Sequence, residues 1–155
     1  MVILSSLQME REKTSFEKKL LEHASAKKER FIFVGENRSR TAIEKGYSWN
    51  ECQKSNKPVL SAIRLFDAFN YCGLNPNEQI ILNLWNDNGE LNSVVLERLN
   101  GYVGEGEIII GMGKKVQAIL DKFCIPHRKL IHPAARGKIA RRTLYREHFS
   151  EIVLS

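Results

Sequence analysis

A carboxylate, two amides and an imidazole stand at or near the ends of apolar runs in this sequence. Glu36 and Asn37 follow Phe31-Ile32-Phe33-Val34-Gly35, Asn83 lies within Gln79 to Trp85, and His132 follows Leu130 and Ile131. A carboxylate can take a proton or steady positive charge. An amide offers a donor and an acceptor together, and an imidazole can donate to developing negative charge. Taken singly, Asn83 also reads as bonding a neighbouring backbone, and His132 as a satisfied, half-buried histidine. Together they acquire meaning from position, because open parallel sheets bind ligands beyond the carboxyl ends of their strands.

The elements that would hold these groups follow from periodicity. Continuous apolar runs of β-branched and aromatic residues suit strands covered on both faces. Four are predicted: Phe31 to Gly35, Gln79 to Trp85, Glu107 to Gly111, and Arg128 to Ile131. Gly35 permits a sharp turn or the close approach of a ligand. A Glu-, Lys- and Leu-rich stretch over 5–30 predicts a helical extension with a thin apolar stripe. Residues 38–56 read as a polar loop carrying Tyr47 and Trp49, with Thr41 and Glu44 spaced as a capping box. A helix starts near Pro58, buries Val59, Ile63, Phe66 and Phe69, and ends at Gly73. Asn86-Asp87-Asn88-Gly89 is turn chemistry. A short helix over Val94 to Leu99 takes Asn92 or Ser93 as its cap. Gly113 opens a helix burying Val116, Ile119, Leu120 and Phe123, which Pro126 stops. A last helix spans Ile139 to Phe149. Strands alternating with helices predict an α/β fold with three α/β/α layers and a four-stranded, mainly parallel sheet. At 155 residues the chain suits a single domain over 1–155.

No apolar run nears the about 20 residues of a membrane span, and Met1 to Leu7 is too short for a secretory signal. A cytoplasmic or nuclear protein is expected. Cys52, Cys72 and Cys124 are odd in number and widely spaced, which suits reduced thiols rather than a disulfide framework or zinc site. The net charge is +6 and the pI about 9.3, hinting at an anionic partner. Its distribution says more: Arg128, Lys129, Arg136, Lys138, Arg141, Arg142 and Arg146 crowd together with no acidic residue between the first and the last. That is the footprint of phosphate binding, although a solvated basic helix face has the same composition. Gly111-Met112-Gly113 lacks the third glycine of a dinucleotide fingerprint, and there is no Walker sequence, nucleophile elbow or metal-ligand spacing.

The order of these pieces resembles the uracil-DNA glycosylase superfamily, most closely its iron–sulfur branch, called family 4. Gly35-Glu36-Asn37-Arg38-Ser39 stands where that branch has Gly-Glu-Ala-Pro-Gly. Gly46-Tyr47-Ser48-Trp49 falls where it has Gly-x-x-Phe. Leu82-Asn83 matches a Leu-Asn pair in the second strand, and His132-Pro133-Ala134 matches a terminal His-Pro-Ala/Ser followed by basic residues. The resemblance runs from Phe31 to Ile152. It departs where Arg38 and Ser39 replace a proline and a glycine, and in lacking the four cluster cysteines.

The resemblance implies strand order 2-1-3-4 and DNA as partner; a monomer without cofactor or metal is expected, and the missing cysteines predict no iron–sulfur cluster. The resemblance implies a DNA glycosylase that flips uracil or a related modified base out of the stack and hydrolyses its N-glycosidic bond. The base would stack on Trp49 or Tyr47. Asn83 would read the O4 and N3–H edge of uracil. His132 would donate to the departing base, worth about 3 kcal/mol when pre-aimed. Glu36 would steady the cationic sugar and activate water, which Asn37 helps to hold. Arg38, Ser39, Arg136, Lys138, Arg141 and Arg142 would face nucleic acid, Arg136 as a wedge in the vacated stack. Two alternatives stay open. A non-catalytic nucleic-acid-binding module of the same fold is favoured by Arg38 and Ser39. An N-glycosidase for free nucleosides or nucleotides suits the short chain.

Overall fold

The computed structural model of the protein describes residues 30–37 and 60–155. The helical extension expected over 5–30 (save Arg30), the capping box at Thr41 and Glu44, Pro58, Val59, Cys52, Arg38, Ser39, Tyr47 and Trp49 lie outside the described residues.

Four strands form one parallel sheet: β1 (Phe31–Gly35), β2 (Ile80–Asn83), β3 (Ile108–Met112) and β4 (Arg128–Leu130). Their order is β2-β1-β3-β4, as expected, and every pairing is parallel. The central β1 is buried along its whole length. The apolar run of β2 extends past its assigned end, for Leu84 and Trp85 donate their N–H groups to Gly35 and Glu36 carbonyls. The Glu36 backbone is thereby tied to β2.

Four α-helices complete the described fold: α1 (Leu60–Cys72), α2 (Ser93–Gly104), α3 (Lys114–Lys122) and α4 (Arg142–Val153). One face of the sheet packs Phe33 and Ile110 against Phe66 and Phe69 of α1 and Phe149 of α4. Phe33 stacks on Phe149 with centroids 5.8 Å apart and planes 7° apart. The other face packs Ile32, Val34 and Ile109 against Leu99 of α2 and Leu120 of α3. These are the two outer layers of an α/β/α sandwich.

Local chemistry sets the boundaries. Asn92 caps α2, its Oδ1 accepting from the Val94 and Val95 N–H groups. The helix runs past the expected Leu99 to Gly104 because Leu99 is inside its buried stripe rather than at its end. The last helix begins later than expected. Gly137 takes φ +92°, and a single 3₁₀ turn, Lys138–Ala140, precedes α4. Two residues expected in the core, Ile63 and Phe123, are each 43% exposed. Phe123 lies beyond α3, immediately before Cys124 turns the backbone to φ 56°. Cys124 is an exposed thiol, and Cys72 is a buried one whose pKa burial pushes up.

Within β3, Gly111 lies between Val34 of β1 and Lys129 of β4. A Cβ there would meet His127 Cδ2 and Leu120 Cδ1, both at 3.0 Å. Both side chains are buried, so neither retreats freely. Gly111→Ala is expected to cost about 1–3 kcal/mol by overpacking, read as a Tm lower by about 2–4 °C per kcal/mol at this size. An unchanged Tm would show that β3 and α3 separate more easily than this packing implies.

Candidate functional site

The carboxyl ends of the strands converge on one edge, and that edge brings Glu36 and His132 together. Glu36 directly follows β1 and is half-buried; Asn37 beyond it is exposed. Asn83 ends β2 beside Gly35. His132 lies two residues past β4 and is partly buried.

His132 is held in one tautomer. Its Nδ1 accepts the Ala134 N–H at 3.0 Å, while its carbonyl accepts the Ala135 N–H at 2.9 Å. An Nδ1 that accepts carries no proton, so the neutral ring bears its hydrogen on Nε2. Burial pulls this imidazole below its ordinary pKa, outweighing the Glu36 charge, which pulls the other way. The site therefore presents a neutral Nε2–H donor with a carboxylate near enough to act on it. The ring lies against Gly113, where a Cβ would stand 3.4 Å from His132 Cβ and Cδ2. Gly113 has φ +91°, a conformation that excludes most side chains, and its N–H donates to the Leu130 carbonyl.

Two further side chains reach the same edge. Lys115, in the first turn of α3, places Nζ 2.8 Å from Glu36 Oε1. The same Nζ sits 4.7 Å from the centroid of the Trp85 ring. Cations in a first helical turn oppose the helix dipole, and α3 has two, Lys114 and Lys115, with no acidic residue there. The carboxylate and the aromatic face offset that cost for Lys115. Neither Lys115 nor Trp85 stands out in the sequence. A lysine after a Gly-x-Gly looks like a solvated helix start, and Trp85 looks like the last residue of a strand. The hint lay in the misplaced charge. Gln117 of α3 closes the floor of the site: its Nε2 donates to the Gly111 and Leu130 carbonyls at 3.0 and 2.9 Å.

The basic block divides in two. Arg128 donates to the Ile152 and Val153 carbonyls, capping α4. Lys129 pairs with Asp121. Arg142, expected to hold phosphate, is exposed and shares Asp67 with Arg146, four guanidinium–carboxylate bonds of 2.6–2.9 Å joining α4 to α1. Such long-range pairing is invisible in a sequence. Arg136, Lys138 and Arg141 remain exposed in the turn after His132, with no ion pair to another described residue. Three cations without an ion pair among the described residues thus follow His132 along the chain.

The Asp67 clamp has a pH consequence. Hydrogen bonds from Arg146 first, and then Arg142, hold its carboxyl down at about 2, against partial burial. A depressed carboxylate stabilises fully above the ordinary aspartate value and loses that contribution as pH falls through the folded one. Asp67→Asn is therefore expected to lower denaturant stability above about pH 4, with the two proteins converging toward pH 2. A gap constant across that window would mean the two arginines do not depend on the charge.

Among the described residues no group of His, Cys, Asp and Glu could hold a metal ion, and no helix is long and apolar enough to cross a membrane. No family model, curated protein or solved structure matches this chain.

Proposed function

We propose that the protein is a DNA glycosylase, hydrolysing the N-glycosidic bond of uracil or a related modified base without a cofactor. The observation that carries this reading is a neutral imidazole with its hydrogen on Nε2, beside a carboxylate at the carboxyl edge of a parallel sheet. Cleavage makes the sugar cationic and the departing base anionic. A carboxylate answers the first charge and a fixed N–H donor the second. Glu36 steadies the sugar and activates the water; His132 Nε2–H donates to the base oxygen as charge builds. Asn83 reads the base edge. Arg136, Lys138 and Arg141, exposed in the segment that follows His132, suit a polyanion better than a single nucleotide.

The test is base release from labelled single- and double-stranded DNA carrying uracil, hypoxanthine, xanthine or modified pyrimidines, with alkaline cleavage at any abasic site. Release from one substrate, with binding that weakens steeply in salt, is the expected result. The Lys115–Glu36 ion pair favours a second reading, a non-catalytic reader of the same DNA, because a nearby ammonium weakens the field of the carboxylate. Tight, salt-sensitive binding with no release from any substrate would select that reader. Absence of both would remove DNA as the partner.

A further inference from the structure

The turn that carries His132 is gripped from behind by side chains that touch no part of the proposed reaction. Beyond Leu130 the chain leaves the sheet, since Met112↔Leu130 is the last pair between β3 and β4. The next backbone groups need partners elsewhere. The Ile131 N–H donates to His148 Nε2 at 3.0 Å, and the Ile131 carbonyl accepts from the Tyr145 hydroxyl at 2.9 Å. Both side chains come from α4. From α1, Arg64 Nη1 donates to the Pro133 and Ala135 carbonyls at 3.2 and 2.9 Å.

Packing holds part of this arrangement, since Tyr145 and Pro133 are buried, but it leaves the Ile131 N–H and carbonyl to be bonded by side chains. Ile131 is itself exposed, so its apolar side chain does not anchor the turn. A tyrosine hydroxyl and a histidine nitrogen are spent on the two polar groups of that one residue, the one preceding His132. On the other side, the ring is fixed by the Ala134 N–H. His132 thus sits between a clamped residue before it and a clamped loop after it. The direction of its Nε2–H depends on both.

We infer that Tyr145 and His148, supported by Arg64, are positioning residues that act through His132: they aim its Nε2–H and keep the hydrogen off Nδ1. The inference rests on the proposed glycosylase reading for its effect on rate. Its effect on the imidazole is independent of that reading.

The test compares the full chain with Tyr145→Phe, His148→Leu and His148→Gln, each also combined with His132→Ala. Tyr145→Phe removes one oxygen and is the variant least disturbing to the fold; thermal melts check that each variant folds. Tyr145→Phe and His148→Leu are expected to lower the base-release kcat by between about ten- and a hundredfold, the scale of a small misplacement, with KM unchanged. His148→Gln, which keeps an acceptor, is expected to recover most of the loss. In the His132→Ala background neither substitution lowers the rate further. An equal fall in that background, or a change in KM alone, would overturn the inference. Nitrogen NMR of the His132 imidazole supplies the second readout. The native ring is expected to show an accepting Nδ1 and a protonated Nε2, and Tyr145→Phe and His148→Leu to mix the two tautomers. An unmoved His132 spectrum in both variants overturns the inference even if the protein releases base. A mixed spectrum in a protein that releases no base sustains it while the glycosylase reading fails.

Discussion

On the proposed glycosylase reading, His132→Ala is expected to lower base release by about 10²–10³-fold and to leave DNA binding in place. The size follows from the loss of one pre-aimed donor to a developing anion, about 3–4 kcal/mol of transition-state stabilisation. Binding persists because the exposed cations, Arg136, Lys138 and Arg141, lie outside the ring and its tautomer network. The pH profile supplies a sign. The neutral ring donates from Nε2 while Nδ1 accepts from Ala134. Protonation would set an N–H at Nδ1 against the Ala134 N–H and undo the turn. Burial lowers this pKa, so the neutral form persists as pH falls past the ordinary histidine value of about 6.5. The proposed activity governed by His132 is therefore expected to be full at neutral pH and to fall only below that value. A rate that rises as the medium is acidified through pH 6 would mean that the imidazolium, not the imidazole, is the working form, and would overturn the assigned tautomer. The measurement is single-turnover base release from pH 4.5 to 8.5, with the variant run alongside to remove pH effects that do not belong to His132.

How far the sequence reached depends on the range of the interaction. The sheet was legible because β1, β2 and β3 lie in apolar runs, of which β1 is buried along its whole length. Asn92 was legible as a cap because its partners, Val94 and Val95, are two and three residues away. The start of α4 was not, because Gly137 and a 3₁₀ turn intervene in a stretch whose composition suits a helix throughout. The placement of Glu36 and His132 on one edge follows once the strands are known to be parallel. What periodicity does not carry is which charge meets which. Asp67 and Arg146 are 79 residues apart, as are Glu36 and Lys115. The first pairing, which Arg142 shares, ties two arginines of the basic block to α1, and the second brings an unexpected ammonium into the site. The Ile131 clamp is of the same kind: a backbone N–H seeking a partner outside the sheet has no signature in its own side chain.

Glu36→Gln separates the carboxylate's chemistry from its ion pair. The amide keeps the shape and can still accept a hydrogen bond from Lys115, but it neither takes a proton from water nor steadies a cation. General-base and charge effects of this kind are worth about 10²–10⁴-fold, and a fall of that size in single-turnover base release is expected. Lys115→Met is the matched control. Lys115 is 66% exposed, and an exposed ion pair contributes about 0–1 kcal/mol. Its removal should change the rate by less than about tenfold. If, on the proposed reading, this exposed ammonium contacts a phosphate when DNA binds, the same variant should reduce the salt dependence of binding by the share of one contact, a slope change of about 0.9. The contrast between the two variants carries the argument. A large loss at Glu36 with a small one at Lys115 places the chemistry on the carboxylate and makes the lysine its counter-ion in the free protein. Equal losses would mean that the pair works only as an intact unit, with Glu36 serving to place Lys115. Little loss at either would leave His132 without a carboxylate partner and turn the site from hydrolysis to recognition.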